Sequence, residues 1–190
     1  MQNVTTMKKE SSKKHKDKGI GVFPNTLSLV LLIGFICLLI FCFYPIKVLK
    51  ASNFKTGEYL KSWRIKDGEV FAIEYIHSVE QSPVLENFLV DKGDIILLDT
   101  YFHSFGAGLP ATTPYKTEIT DEGIHVYDMN LKIDNLIYRT SSQGREHKLI
   151  FRNRDFMLLD FSTHRTAVRF HIDYMTNLTY IIKEGNYFER

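Results

Sequence analysis

Between Gly19 and Ile46 no side chain carries a charge, and the centre of that stretch, Leu27 to Tyr44, is almost wholly apolar. A helix needs about 20 mainly apolar residues to cross the hydrocarbon core of a bilayer, and this run with its flanks supplies them. A cleaved secretory signal has a shorter apolar region, about 7 to 15 residues, closed by small residues. Here the exit reads Phe43-Tyr44-Pro45-Ile46-Lys47, with no Ala-x-Ala, and Ile36 and Phe41 precede Cys37 and Cys42 where a lipoprotein signal wants a small residue. The expectation is a retained transmembrane helix over residues 20–46.

The charges on either side assign compartments. Within the first 18 residues six lysines stand against Glu10 and Asp17, while only Lys47 and Lys50 closely follow the apolar run. Positive charge stays with the cytoplasmic flank. Residues 1–19 therefore read as a lysine-rich cytoplasmic tail, residues 47–66 as a connector and residues 67–190 as an extracytoplasmic domain, in a single-pass protein of the cell membrane. Beyond the tail, 18 basic residues meet 20 acidic ones. A mildly acidic domain lacks the basic patch that displaces counterions from phosphates, so nucleic acid is not an expected partner. Both cysteines lie in the apolar run, so the domain is not a disulfide framework.

After the connector, short apolar or alternating runs are separated by turn residues, the pattern of antiparallel sheet. Strands are expected at Val70 to Val79, Val84 to Val90, Ile95 to Phe102, Tyr115 to Thr120, Ile124 to Met129, Leu131 to Tyr138, Lys148 to Phe151, Phe156 to Phe161 and Ala167 to Tyr174. Turns fall at Asp91-Lys-Gly-Asp94, Asp121-Glu-Gly123 and Arg152-Asn-Arg-Asp155, where Asn, Asp and Gly tolerate positive φ. This predicts a mainly β domain, an antiparallel β-sandwich or partly closed barrel.

A turn at Glu80-Gln-Ser-Pro83 pairs Val79 with Val84, His77 with Glu86, Tyr75 with Phe88 and Ile73 with Val90, all on one apolar face. The Asp91 to Asp94 turn then sets Asp99 beside Glu86, Leu97 beside Phe88 and Ile95 beside Val90. The product is a polar row of His77, Glu86 and Asp99 across three strands. Two readings follow: a divalent-metal or acid/base site, since one His and two carboxylates can ligate a cation and raise one another's pKa, or a hydrogen-bonded network that fixes strand pairing. The second feature is His103-Ser-Phe-Gly-Ala-Gly-Leu-Pro110. Gly106 and Gly108 permit either a sharp strand exit or a loop whose N–H groups cup an anion. Nucleophilic catalysis has no support: His77-Ser78 and His103-Ser104 are sequence neighbours pointing to opposite strand faces, and no Gly-x-Ser-x-Gly or His-Glu-x-x-His occurs.

The stretch Glu74-Tyr-Ile-His-Ser-Val-Glu-Gln-Ser-Pro-Val-Leu-Glu86, with Asp99-Thr100 and Ser104-Phe-Gly-Ala-Gly-Leu-Pro110, resembles the bacterial and archaeal family called domain of unknown function 1850. The resemblance covers Gly68 to Pro110 and continues more thinly to about His171, through Glu146-His-Lys-Leu149. Motif positions carried over are Tyr75, His77, Ser78, Val79, Pro83, Val84, Glu86, Ser104, Gly106, Gly108, Leu109 and Pro110; no catalytic residue comes with them. Members resemble this chain in layout, and the family is associated with permeases of TAXI-type tripartite ATP-independent periplasmic transporters.

The resemblance therefore implies an accessory role in ion-driven uptake of a small organic anion. The first expectation is a non-enzymatic accessory protein, without a cofactor, that meets a transporter permease or its solute-binding protein. Its candidate contact residues are His77, Ser78, Glu86, Asp99, Ser104, Gly106, Gly108 and Pro110. The competing expectation is a metal-dependent or acid/base cell-envelope enzyme centred on His77, Glu86 and Asp99.

Overall fold

The computed structural model describes residues 26–77, 79, 81–104, 114–121, 123–140 and 147–185. The tail, Ser78 and the Gly106 to Pro110 loop lie outside them. The chain divides between Leu39 and Ile40 into two compact units. Helix α1, Thr26–Phe43, has no buried residue, as its apolar composition requires of a segment without a protein core around it. It is long and apolar enough to cross a membrane.

The second unit is a sandwich of two antiparallel sheets. Sheet A takes its strands in the order β2 (Tyr59–Arg64), β1 (Pro45–Asn53), β12 (Ala167–Thr176) and β9 (Leu136–Arg139). Sheet B runs β11 (Arg154–Met157), β10 (Lys148–Phe151), β3 (Val70–Ile76), β4 (Pro83–Asp91), β5 (Asp94–Phe102), β7 (Gly123–Tyr127) and β6 (Lys116–Thr120), with β8 (Leu131–Lys132) also on β5. Helix α2, Asn177–Glu184, follows β12 and packs on β2 and β12. The architecture resolves the expected alternatives in favour of a sandwich over a closed barrel.

Alternation explains the core. Leu49 and Ala51 from β1, Trp63 from β2 and Phe170 from β12 meet Phe71, Ile73, Phe88 and Val90 from sheet B in one buried cluster. Trp63 makes edge contacts with Phe156 and Phe161 at 5.4 and 5.5 Å. Two hairpin turns, Lys92-Gly93 and Arg152-Asn153, hold both central residues at positive φ, the type I′ geometry that suits the twist of paired strands. Both sit where the sequence places turns.

Four expectations change. The strand expected at Phe156 to Phe161 is β11, Arg154–Met157, followed by a 3-10 turn at Leu158–Asp160. Residues 47–66, read as a connector, form most of β1 and β2, which pair as the edge half of sheet A. Lysines disguise them: Lys47 breaks the apolar run on the face of Leu49 and Ala51 and pairs with Asp67 at 2.6 Å, while Lys50 on the opposite face pairs with Asp173 at 2.7 Å. The expected single strand Leu131 to Tyr138 is two, and β8 pairs with β5 while β9 crosses to sheet A. Helix α2 was not anticipated, because its eight residues are too few for a long apolar period.

Candidate functional site

The β3–β4 pairing fixes the geometry of the motif. Phe71 faces Phe88, Ile73 faces Glu86 and Tyr75 faces Val84. This is four residues away from the expected register, a shift that leaves every side chain on its expected face. The physical reason is Phe71: the observed register stacks it on Phe88 at 5.2 Å with both rings about 1% exposed, whereas the expected one leaves it opposite the Lys92 turn. The hairpin loop is correspondingly longer, closed by His77 N–H donating to Ser82 O at 2.9 Å and Gln81 N–H to His77 O at 3.0 Å.

The row of His77, Glu86 and Asp99 is therefore not assembled by strand pairing. His77 lies four residues beyond Ile73, the residue opposite Glu86, or about 13 Å along the strand. On the other side, the pairings Leu97 with Phe88 and Ile95 with Val90 hold, but a bulge between Asn87 and Phe88 offsets the ladder by one residue. Thr100 thus faces Glu86, while Asp99 faces Asn87 on the opposite side of the sheet and accepts from its Nδ2 at 2.6 Å. Among the described residues no group of three His, Cys, Asp or Glu is arranged to hold a metal.

Glu86 instead sits inside the sandwich. Its carboxylate accepts from Tyr75 Oη on β3 at 3.4 Å and from Tyr138 Oη, which reaches over from β9 in sheet A. Burial raises the Glu86 pKa against the opposing pull of those two hydrogen bonds. Burial and the neighbouring carboxylate push both phenols above their ordinary range, so they remain donors. Tyr75 also stacks on His147 at 6.0 Å. The cluster is a cross-sheet tie built from one acid and two phenols.

The outer face of sheet B carries a different row. Lys148, Glu74, Leu85, Tyr101, His125 and Glu118 are successive cross-strand partners on β10, β3, β4, β5, β7 and β6. Tyr101 and His125 stack at 3.8 Å with planes 10° apart, and Tyr127 follows at 5.0 Å. Asp99 Oδ1 lies 3.8 Å from His125 Nε2. Burial, Asp99 and Glu118 together raise the Tyr101 pKa. Lys148 bridges Asp155 at 3.0 Å and Glu74 at 3.3 Å.

A groove of about 500 Å³ runs along this row, lined by Glu74, Pro83, Leu85, Tyr101, His103, Glu118 and His125 among others. At its floor Gly123 is at φ +142, and a Cβ there would lie 2.7 Å from Phe102 O, so only glycine lets β7 approach β5 this closely. The groove opens at the sheet end where β3 gives way to His77, β4 begins at Pro83 and β5 gives way to His103-Ser104. Topology thus gathers the described motif positions at one end of sheet B. Of the candidate residues, His77 and Ser104 are there, Asp99 is on the outer face beside the groove, and Glu86 is half-buried between the sheets; Ser78, Gly106, Gly108 and Pro110 lie outside the described residues. Residues 71–158 match the family model Domain of unknown function (DUF1850).

The DUF1850 match supports the family resemblance read from the sequence. It runs from the second residue of β3 through β11, so it takes in sheet B with its groove and the strand that supplies Tyr138. It leaves out β1, β2, β12 and α2. No curated protein and no solved structure matches the chain.

Sequence reasoning missed Tyr101, Glu118 and His125: the Asp121 to Gly123 turn as read pairs Glu118 with Val126, and the observed hairpin, in which Thr120 faces Gly123, is one residue tighter and sets Glu118 beside His125. Tyr138 had no signal, because strand alternation carries no information about which side chain crosses from the opposite sheet.

Proposed function

We propose that this chain is a membrane-anchored, extracytoplasmic accessory protein of a TAXI-type tripartite ATP-independent periplasmic transporter, acting as a docking module rather than as an enzyme. The anchor is α1, oriented by the lysine-rich tail. The docking surface is the outer face of sheet B, and its partner is the permease or the solute-binding protein.

The observation that carries this reading is the convergence of the motif end of sheet B on the groove formed by Glu74, Tyr101, His103, Glu118 and His125. Aromatic and His side chains supply contact area at small cost in rotamer freedom, and such residues concentrate binding energy at interfaces. Glu74 and Glu118 at its sides favour a partner segment that presents a cation. The transporter assignment comes from the family resemblance.

Co-purification tests it. A tagged full-length chain extracted from native membranes should bring down a multi-span permease or a solute-binding protein, and Tyr101→Ala should reduce the recovery. Recovery of neither protein would remove the proposal.

A further inference from the structure

Helix α2 is amphipathic in the inverted sense. Its buried positions are Asn177 and Glu184, with Tyr180 half-buried between them on the same face. Glu184 accepts from Tyr59 Oη, from Ser62 N–H at 2.8 Å and from Ser62 Oγ at 3.2 Å, while Lys61 Nζ stands 3.6 Å away. The outward face is apolar: Leu178, Ile181 and Ile182 are 38, 47 and 64% exposed. A short helix that hides its polar side and presents Leu and Ile has an apolar neighbour to meet.

The neighbour is indicated by what holds the first turn. Asn177 donates its backbone N–H to Tyr44 O at 3.1 Å and its side-chain Nδ2 to Phe41 O at 2.9 Å, so α2 begins at the last turn of α1. From Asn177 to Ile182 the helix rises at most about 7.5 Å. The polar layer on each side of the hydrocarbon core is about 5 to 8 Å thick. Whatever its tilt, α2 keeps Leu178, Ile181 and Ile182 within or close to that layer.

Tyr44 and Tyr174, both 60% exposed, add the amphipathic rings found at membrane interfaces, and Lys47 lies 5.9 Å from the Tyr174 ring. We infer that α2 lies in the interfacial layer of the bilayer, with Leu178, Ile181 and Ile182 against the upper acyl chains, as a second membrane contact beside α1. This rests on the proposed anchoring by α1.

Trp63, buried in the core, is the native chain's one tryptophan, so an added tryptophan reports locally. Full-length Leu178→Trp, Ile182→Trp, Ile33→Trp within α1 and Ile119→Trp on β6 would each be reconstituted in phosphatidylcholine vesicles brominated high in the acyl chain. The Trp63 signal of the parent protein is subtracted from each. The inference expects strong bromolipid quenching of the Leu178→Trp, Ile182→Trp and Ile33→Trp variants and little of Ile119→Trp. Quenching of Ile33→Trp alone would overturn the inference and leave the anchor standing. Loss of quenching at Ile33→Trp as well would remove the anchor and the inference together.

Discussion

Sheet A and sheet B share one core and differ in what they do with their outer faces. Sheet A is covered: α2 lies across it, and Glu184 beneath the helix is met by Tyr59, Ser62 and Lys61. Sheet B is open, and its outer row from Glu74 to Glu118 lines a groove. The carboxylate that ties the sheets, Glu86, accepts from two phenols. The difference separates two tasks. The half outside the DUF1850 match continues from α1 and carries α2, while the matched half carries the surface proposed for a partner.

The sharpest way to break this comparison is to ask whether the halves stand alone. Phe88→Ala should cost about 3 to 5 kcal/mol, since a large buried ring leaves a cavity between the sheets. Chemical denaturation followed by Trp63 fluorescence checks it, and sheet A should be lost together with sheet B. Next in size, Glu184→Leu removes the carboxylate that the Tyr59 hydroxyl and the Ser62 N–H donate to, at a cost of about 3 kcal/mol. Hydrogen exchange should rise over Leu178 to Lys183 and stay unchanged in β3 to β5.

Tyr138→Phe should cost about 1.5 to 3 kcal/mol near neutral pH, because a charged acceptor loses a donor. It should also raise the Glu86 pKa further. The sign follows from linkage. Folded Glu86 holds its proton more tightly than the unfolded chain does, so its contribution to stability is fully present at low pH. It is lost as pH climbs from the ordinary carboxylate range through the raised value. Unfolding measured across that window should show stability falling with pH, more steeply in Tyr138→Phe, and Glu86→Gln should remove this component. The smallest effect on stability is expected at the groove: Tyr101 is 42% exposed, and Tyr101→Ala should stay within about 0.5 kcal/mol of the parent while losing partner recovery.

What sequence could reveal tracks how local each determinant is. The Lys92-Gly93 turn fixed Leu97 beside Phe88 and Ile95 beside Val90 correctly, because a two-residue loop leaves one register. Beyond Phe88 the same reasoning failed at a bulge, which no residue type announces, and Asp99 moved to the opposite face. The His77 to Ser82 loop is longer, and a four-residue slip preserves alternation, so only the packing of Phe71 on Phe88 decides it. Strands β1 and β2 escaped notice because lysines interrupt their pattern. Tyr138 and Glu184 gain their roles from elements distant in sequence.

The most direct measurement is a site-specific photo-cross-link in native membranes. With a benzophenone side chain in place of Tyr101, the full-length protein should form a covalent adduct with a multi-span permease or a solute-binding protein, and the same probe in place of Tyr174 should not. No adduct from the Tyr101 position, or equal adducts from both positions, would contradict a docking surface on the outer face of sheet B.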